Sequence, residues 1–265
     1  MTTSEQTLRK LALKAAGMTG ADVAYAVRQA RRHARRQNRR ITFDDIQSQL
    51  DVGKPTHTRR TLLRMAIHEA GHGVAAVCMG VETISMITIR SLHGNAYVAW
   101  SPGGRGLVTE HQLMGYMVVL LAGRATEDLH CRVMTSGSGG DANSDLAQAT
   151  RLACDMEMRL GFGAHHPLVY RDTTDLPSLL ATDQELLARV SARLERAYGV
   201  TRTVIETHER AIDFLAGMLL EYETLEGDHL AETLQTVKYL IEESENGRVP
   251  EMPKNSDKPG WVTKD

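Results

Sequence analysis

A mainly α-helical fold with a small β element is the class these 265 residues predict. Three observations carry that expectation. Apolar side chains recur at three- and four-residue steps through most of the chain, the period of a helix buried on one side. Aromatics are 5% of the residues while 12 are methionine, which points to an aliphatic, helical core. Strand-like runs are confined to two short stretches, residues 84–89 and 96–100.

Composition sets the frame. With 42% hydrophobic and 24% charged residues the chain is an ordinary globular one, long enough for one large or two small domains. The net charge of −2 is unevenly placed: residues 1–60 hold 13 Lys and Arg against 5 Asp and Glu, the remainder 18 against 28. Such asymmetry suggests two units with different partners. Cys78, Cys131 and Cys154 lack the close spacing of a disulfide framework, so a reducing compartment is expected. The N-terminus has no signal-peptide core, and the longest apolar run, residues 117–122, is too short to span a bilayer. The expectation is a cytoplasmic chain, or a membrane-associated one as part of a longer protein.

Residues 1–52 read as a small helical unit. Leu8, Leu11, Ala12 and Ala15 predict a short helix ending near Gly17. Thr19 to Asp22 opens a second, with Val23, Ala26, Val27, Ala30 and Ala34 as its buried stripe and Arg28, Arg31, Arg32, Arg35, Arg36, Arg39 and Arg40 on other faces. Thr42, three residues before Asp45, starts a third helix through Leu50 in the manner of a capping box. A basic helix invites a nucleic-acid reading, but no interleaved aromatics or recognised module accompany it. A solvated face or subunit contact is the preferred reading, and nucleic acid is not an expected partner.

Residues 53–60, with Gly53 and Pro55, read as a linker. A helix then runs from about Arg60 to Met79 and stops at Gly80; Leu63, Ile67, Ala70, Val74 and Val77 predict it to be amphipathic. The strands at 84–89 and 96–100 follow as a candidate pair, then a Gly-rich turn. Thr109 with Gln112 caps a helix ending near His130, and a Ser/Gly-rich loop over 135–140 leads into a helix reaching about Leu160. Long helical patterns over 181–198 and 200–220 are broken at Gly199, and a last helix covers 225–243. Residues 244–265, with Pro250, Pro253 and Pro259, read as a disordered tail.

The chemistry centres on His68-Glu69-Ala70-Gly71-His72. On a helix, His68 and His72 stand one above the other, roughly 6 Å apart along the axis, so both imidazoles can reach one Zn²⁺. Glu69 lies on the next spoke, placed to take a proton from water. Catalytic zinc needs a third protein ligand, and Glu127, Asp128, His130, Asp141 and Asp145 are candidates. Asp145 is favoured because its helix opens after a glycine loop. An Asp that simply offsets a helix dipole fits the same position, and spacing alone favours that plainer reading. Cys131 or Cys154 would be the third ligand in a zinc hydrolase of another class. His165, His166 and His208 are read as surface or loop residues, since nothing pairs them at ligand spacing.

Three segments, in order, resemble the FtsH family of AAA zinc proteases: residues 68–72, Leu121-Ala122-Gly123-Arg124-Ala125-Thr126-Glu127-Asp128-Leu129, and Ser144-Asp145-Leu146-Ala147-Gln148-Ala149-Thr150. Residues 210–227 are similar to the family's C-terminal helices and the turn between them. Residues 17–23, 30–40 and 41–46 resemble the helical lid that closes an AAA ATPase module. The resemblance, covering about residues 5–240, implies a lid-like subdomain over 1–52 and a helical zinc peptidase domain over 61–243. It implies zinc held by His68, His72 and Asp145 with Glu69 as general base. It also implies polypeptide substrates, a hexameric ring of like subunits and a AAA ATPase module. The residues depart from the family at Ser144, where Asn is usual, with Asn143 one place earlier. No Gly-x-x-x-x-Gly-Lys-Ser/Thr phosphate loop occurs in the sequence. A zinc endopeptidase is the expected activity, with strand 84–89 pairing to an extended substrate; a non-catalytic FtsH-like subunit or scaffold is the alternative.

Overall fold

In a computed structural model of the chain, the described residues are 7–8, 11–12, 14–15, 18–53, 57–80, 82–90, 97–102 and 108–246. Residues 7–8, 11–12 and 14 are helical, as expected of a first helix there, and the Ala15 N–H donates to the Leu11 carbonyl at 3.0 Å. The Gly-rich turn after residue 102 falls largely outside the described residues, as do residues 54–56 of the linker and the tail beyond residue 246. The chain divides into two compact units, one within residues 1–58 and 90–96, the other within 59–89 and 97–265. As expected, the described elements are mainly helical with a small sheet.

In the first unit α1 (Gly20–Arg36) packs on α2 (Phe43–Leu50) through Ala26, Ala30, Ala34 and Leu50. Both helices begin in reciprocal capping boxes, Thr19 with Asp22 and Thr42 with Asp45. Arg39 forks onto Asp45 at 2.5 and 2.6 Å, fixing the turn between the helices.

The second unit is built around α3 (Arg59–Met79). It is not amphipathic: every residue from 68 to 76 is buried. Small residues make this possible. A Cβ on Gly71 would lie 2.1 Å from Thr126 Oγ1, and one on Gly73 would lie 2.7 Å from Leu215 Cδ2. Neighbouring helices can therefore close on the backbone of α3 from both sides. These are α4 (Glu110–Thr126), capped by Thr109 and Gln112, and α8 (Glu209–Tyr222).

The sheet lies against α3 with strand order β2-β1-β3. β1 (Glu82–Thr88) pairs antiparallel with β2 (Tyr97–Pro102), with an irregularity between Ile84 and Met86. The turn expected near residue 225 contains a further strand, β3 (Thr224–Glu226), with Leu225 opposite Ile87. β1 is thus central, with β3 on its second edge at Met86–Thr88. That overturns the expectation that an extended substrate pairs along it. Among the described residues the long edge strand is β2.

α4 reaches its expected end near His130 by an unexpected route. Its last turn, Glu127–Cys131, is π-helical and stops at Arg132 with φ +54°. Such a widened turn rotates its side chains out of α-helical phase, and it is frequent at functional sites. A 3₁₀ turn, Ser136–Ser138, and α5 (Asp145–Met158) follow. The long C-terminal helices differ from expectation. α6 (Leu176–Thr182) is separate, capped by Asp175, and α7 (Gln184–Thr207) runs unbroken through Gly199. A helix-interior glycine costs about 1 kcal/mol relative to alanine. Burying Ile205 alone contributes about 2 kcal/mol, so packing outweighs the local preference. The break falls instead at His208, and α9 (Gly227–Glu245) closes the domain.

The core lies where α4, α5 and α7 meet, around Met117, Leu121, Cys154, Met156, Leu186 and Val190. A buried arginine ties the same helices together. Arg193 on α7 reaches Glu157 at 2.6 Å, Glu110 at 2.7 Å and the Phe162 carbonyl at 3.0 Å. Arg193→Met is expected to destabilise the fold by about 3 kcal/mol, because Glu157 stays buried with Arg189, at 3.4 Å, as its remaining cation. Urea unfolding measures this, and an unchanged midpoint would refute it. No described helix is long and apolar enough to cross a membrane.

Candidate metal centre

α3 and α5 bring three side chains together. His68 and His72 project one turn apart from the buried middle of α3, their Nε2 atoms 3.1 Å apart. Asp145, the first residue of α5, is aimed at them by the Ser144 cap; its Oδ2 is 3.4 Å from His68 Nε2 and 3.5 Å from His72 Nε2. Each residue offers one ligand atom, all within 4.8 Å of one another. Among the described residues no other His, Cys, Asp and Glu side chains gather in this way.

The imidazoles are oriented from behind. His68 Nδ1 donates to Glu127 Oε1 at 2.7 Å, and His72 Nδ1 donates to the Val119 carbonyl at 2.7 Å. A carboxylate and a carbonyl can only accept, so each neutral ring keeps its lone pair on Nε2, facing the other ring and Asp145. Two lone pairs and a carboxylate at this range repel unless positive charge lies among them. The local electrostatics agree. Burial works against charge on His68, but contacts with Asp145 and Glu127 outweigh it and raise the ring's pKa to about 10. His72 is raised in the same way: burial opposes its charge and Asp145 prevails. Burial pushes Asp145 upward, yet the two imidazoles hold it below the ordinary carboxylate range. Two imidazole nitrogens and one carboxylate oxygen form a donor set suited to zinc.

Glu69 is buried beside the pair, and its Oε2 has no hydrogen-bond partner. Burial raises its pKa, against the pull of His72 and His68. Such an orphaned oxygen is costly unless it has work at the site.

The other candidate ligands lie elsewhere. Glu127 supports His68 instead of joining the cluster, and its carboxylate also accepts from the Thr135 backbone N–H at 2.6 Å. Asp128 pairs with Arg202 at 2.5 Å, and Asp141 accepts from the Asn143 N–H at 2.6 Å within its loop. His130 is half-buried, and neither of its ring nitrogens has a hydrogen-bond partner. Neither Cys131 nor Cys154 joins the group. His165 and His166 are exposed, as read, but His208 is buried at the α7–α8 junction. Sequence reasoning missed the supporting role of Glu127, which it weighed only as a ligand, and the Val119 carbonyl, which leaves no signal in side-chain pattern. It also missed Gly123, where a Cβ would lie 2.4 Å from His68 Nε2.

Two histidines a turn apart with a buried glutamate between them, met by a carboxylate from a distant helix, define a class: metallopeptidases with a His-Glu-x-x-His helix. The sequence profile of peptidase family M41 matches residues 56–233, and the chain belongs to that family. It is 31% identical over 243 residues to the ATP-dependent zinc metalloprotease FtsH 2 of Symbiobacterium thermophilum, covering 86% of this chain and 41% of that protein. It is 34% identical over 245 residues to FtsH 2 of Sphaerobacter thermophilus, covering 86% and 36%. With the ATP-dependent zinc metalloprotease FtsH of Mycobacterium tuberculosis the figures are 30% over 276 residues, 94% and 35%. The chain thus spans about two fifths or less of the length of these relatives.

Proposed function

We propose that this chain is a zinc-dependent endopeptidase that hydrolyses peptide bonds in unfolded or extended polypeptides. The observation that carries the reading is the convergence of His68 Nε2, His72 Nε2 and Asp145 Oδ2 beside the buried Glu69, whose Oε2 has no hydrogen-bond partner. His68, His72 and Asp145 would hold the zinc. Bound zinc supplies Lewis acidity toward water and the scissile carbonyl. Glu69 takes a proton from the attacking water and delivers it to the leaving amine nitrogen as the C–N bond breaks. Hydroxide adds to the carbonyl carbon, and the second proton of the water also passes to nitrogen, so the products are one carboxylate and one protonated amine. Glu127 and the Val119 carbonyl keep both Nε2 atoms turned toward the metal. The edge position of β2 supports it as the strand along which an extended polypeptide pairs.

The wider assignment belongs to the same proposal. Residues 1–52 form a lid-like subdomain, 53–60 a linker, 61–243 the peptidase domain and 244–265 a tail. Like subunits assemble into a ring and an ATPase module delivers substrate; in support, the relatives are named as ATP-dependent. The free cysteines Cys78, Cys131 and Cys154 fit a cytoplasmic setting.

The test is zinc content alongside casein hydrolysis for wild type and Asp145→Ala. The expected result is one zinc per wild-type chain with proteolysis, and loss of both in the variant. Full zinc occupancy in Asp145→Ala would remove Asp145 from the ligand set. Wild-type protein that binds zinc but leaves casein intact would mark a scaffold.

A further inference from the structure

The ligand-bearing segments are far apart in sequence, His68 on α3 and Asp145 on α5, and one residue between them touches the apparatus of both. Thr135 donates its backbone N–H to Glu127 Oε2 at 2.6 Å and its hydroxyl to Glu127 Oε1 at 3.0 Å. Oε1 is the atom that accepts from His68 Nδ1 at 2.7 Å. The Thr135 hydroxyl also accepts from the Gly137 N–H at 3.2 Å, holding the 3₁₀ turn at the start of the loop that ends at Asp145. A Cβ on Gly137 would lie 3.4 Å from Glu127 Oε1 and 3.8 Å from His68 Cε1, so this turn lies directly against the His68–Glu127 pair.

We propose that Thr135 is a positioning residue that locks the Glu127 carboxylate behind His68 and, through the same hydroxyl, sets the loop that delivers Asp145. The inference rests on the zinc reading above. Its physical basis is the two-point grip. The N–H holds Oε2 and the hydroxyl holds Oε1 without help from the imidazole, so the carboxylate plane is set independently of the ring it must orient; without the hydroxyl, Oε1 is held only by His68 itself. With that plane fixed, Oε1 faces Nδ1, and the His68 lone pair faces the metal position. Orienting partners of this kind change metal affinity by roughly 10- to 100-fold when removed. Thr135 acts one bond further out and keeps its backbone N–H in any substitution, so the lower end of that range applies.

Thr135→Val tests this, because it keeps the side-chain shape and the N–H and deletes the hydroxyl. Zinc affinity is read by competition with a chromophoric chelator, and the thermal midpoint is read in zinc-free buffer. The dissociation constant for zinc should rise about 10-fold in Thr135→Val and return to within about twofold of wild type in Thr135→Ser, which restores the hydroxyl. Thr109→Val is the control for simple loss of a cap, since Thr109 makes the same kind of bond, from the Gln112 N–H at 3.2 Å, at the start of α4. It should lower the thermal midpoint and leave zinc affinity unchanged. Wild-type affinity in Thr135→Val, or equal weakening in Thr135→Ser or Thr109→Val, overturns the role of Thr135. Wild-type protein that fails to bind zinc overturns the metal reading itself, and this proposal with it.

Discussion

Glu69→Gln is expected to abolish proteolysis while leaving zinc bound. Glutamine fills nearly the same volume and can hydrogen-bond, but it cannot accept a proton from water near neutral pH. Loss of a positioned general base costs roughly 10²–10⁴-fold in rate. The histidines and Asp145 are untouched by the change, so zinc content should remain at the wild-type level. The environment of Glu69 makes the comparison clean: it is 3% exposed, and Oε2 has no partner to lose. Removing the negative charge should not unfold the protein either, since burial already works against the ionised form. Casein hydrolysis and metal analysis on the same sample decide the matter. A Gln variant that retains more than about a tenth of wild-type activity would dismiss Glu69 as the base.

Gly123→Ala should be nearly as damaging, for a steric reason. The added Cβ would lie 2.4 Å from His68 Nε2, 2.5 Å from Cε1 and 2.6 Å from Cδ2, well inside van der Waals contact. The ring has little room to retreat, because Glu127 holds Nδ1 at 2.7 Å and the buried middle of α3 surrounds it. Either α4 moves away from α3 or the imidazole leaves its position. Overpacking of this kind costs about 1–3 kcal/mol, and the displaced ring should take zinc binding with it. Gly217→Ala is the matched control: Gly217 also lies inside a helix, but a Cβ there meets nothing within 4 Å. That change should stabilise the protein by about 0.5–1 kcal/mol through helix propensity and leave zinc bound. Equal behaviour of the two variants in urea unfolding and zinc titration would show that the approach at Gly123 is not close.

Helices that carry their own start signals could be read from the residues. Thr19 with Asp22, Thr42 with Asp45 and Thr109 with Gln112 each form the reciprocal cap that their spacing announces. Elements decided by packing were misread. Gly199 looked like a break, yet the buried side chains of α7 carry the helix through it. Thr224–Glu226 looked like a turn and pairs as a strand because β1 offers it an edge. The amphipathic reading of α3 failed because Ala70, Gly71, Gly73 and Ala75 let neighbours cover the side expected to face solvent.

By itself the sequence determined that His68 and His72 would stand one turn apart with Glu69 between them, because helical periodicity is local and depends on nothing beyond a few residues. It also carried the resemblance that named the family. Only the tertiary structure decided which distant groups meet that pair. Asp145 and Glu127 were both plausible ligands; one faces the Nε2 atoms and the other supports Nδ1 from behind. The choice depends on a π-helical turn, a glycine loop and the close approach of α4 to α3, and such long-range geometry is set by packing, not by spacing along the chain.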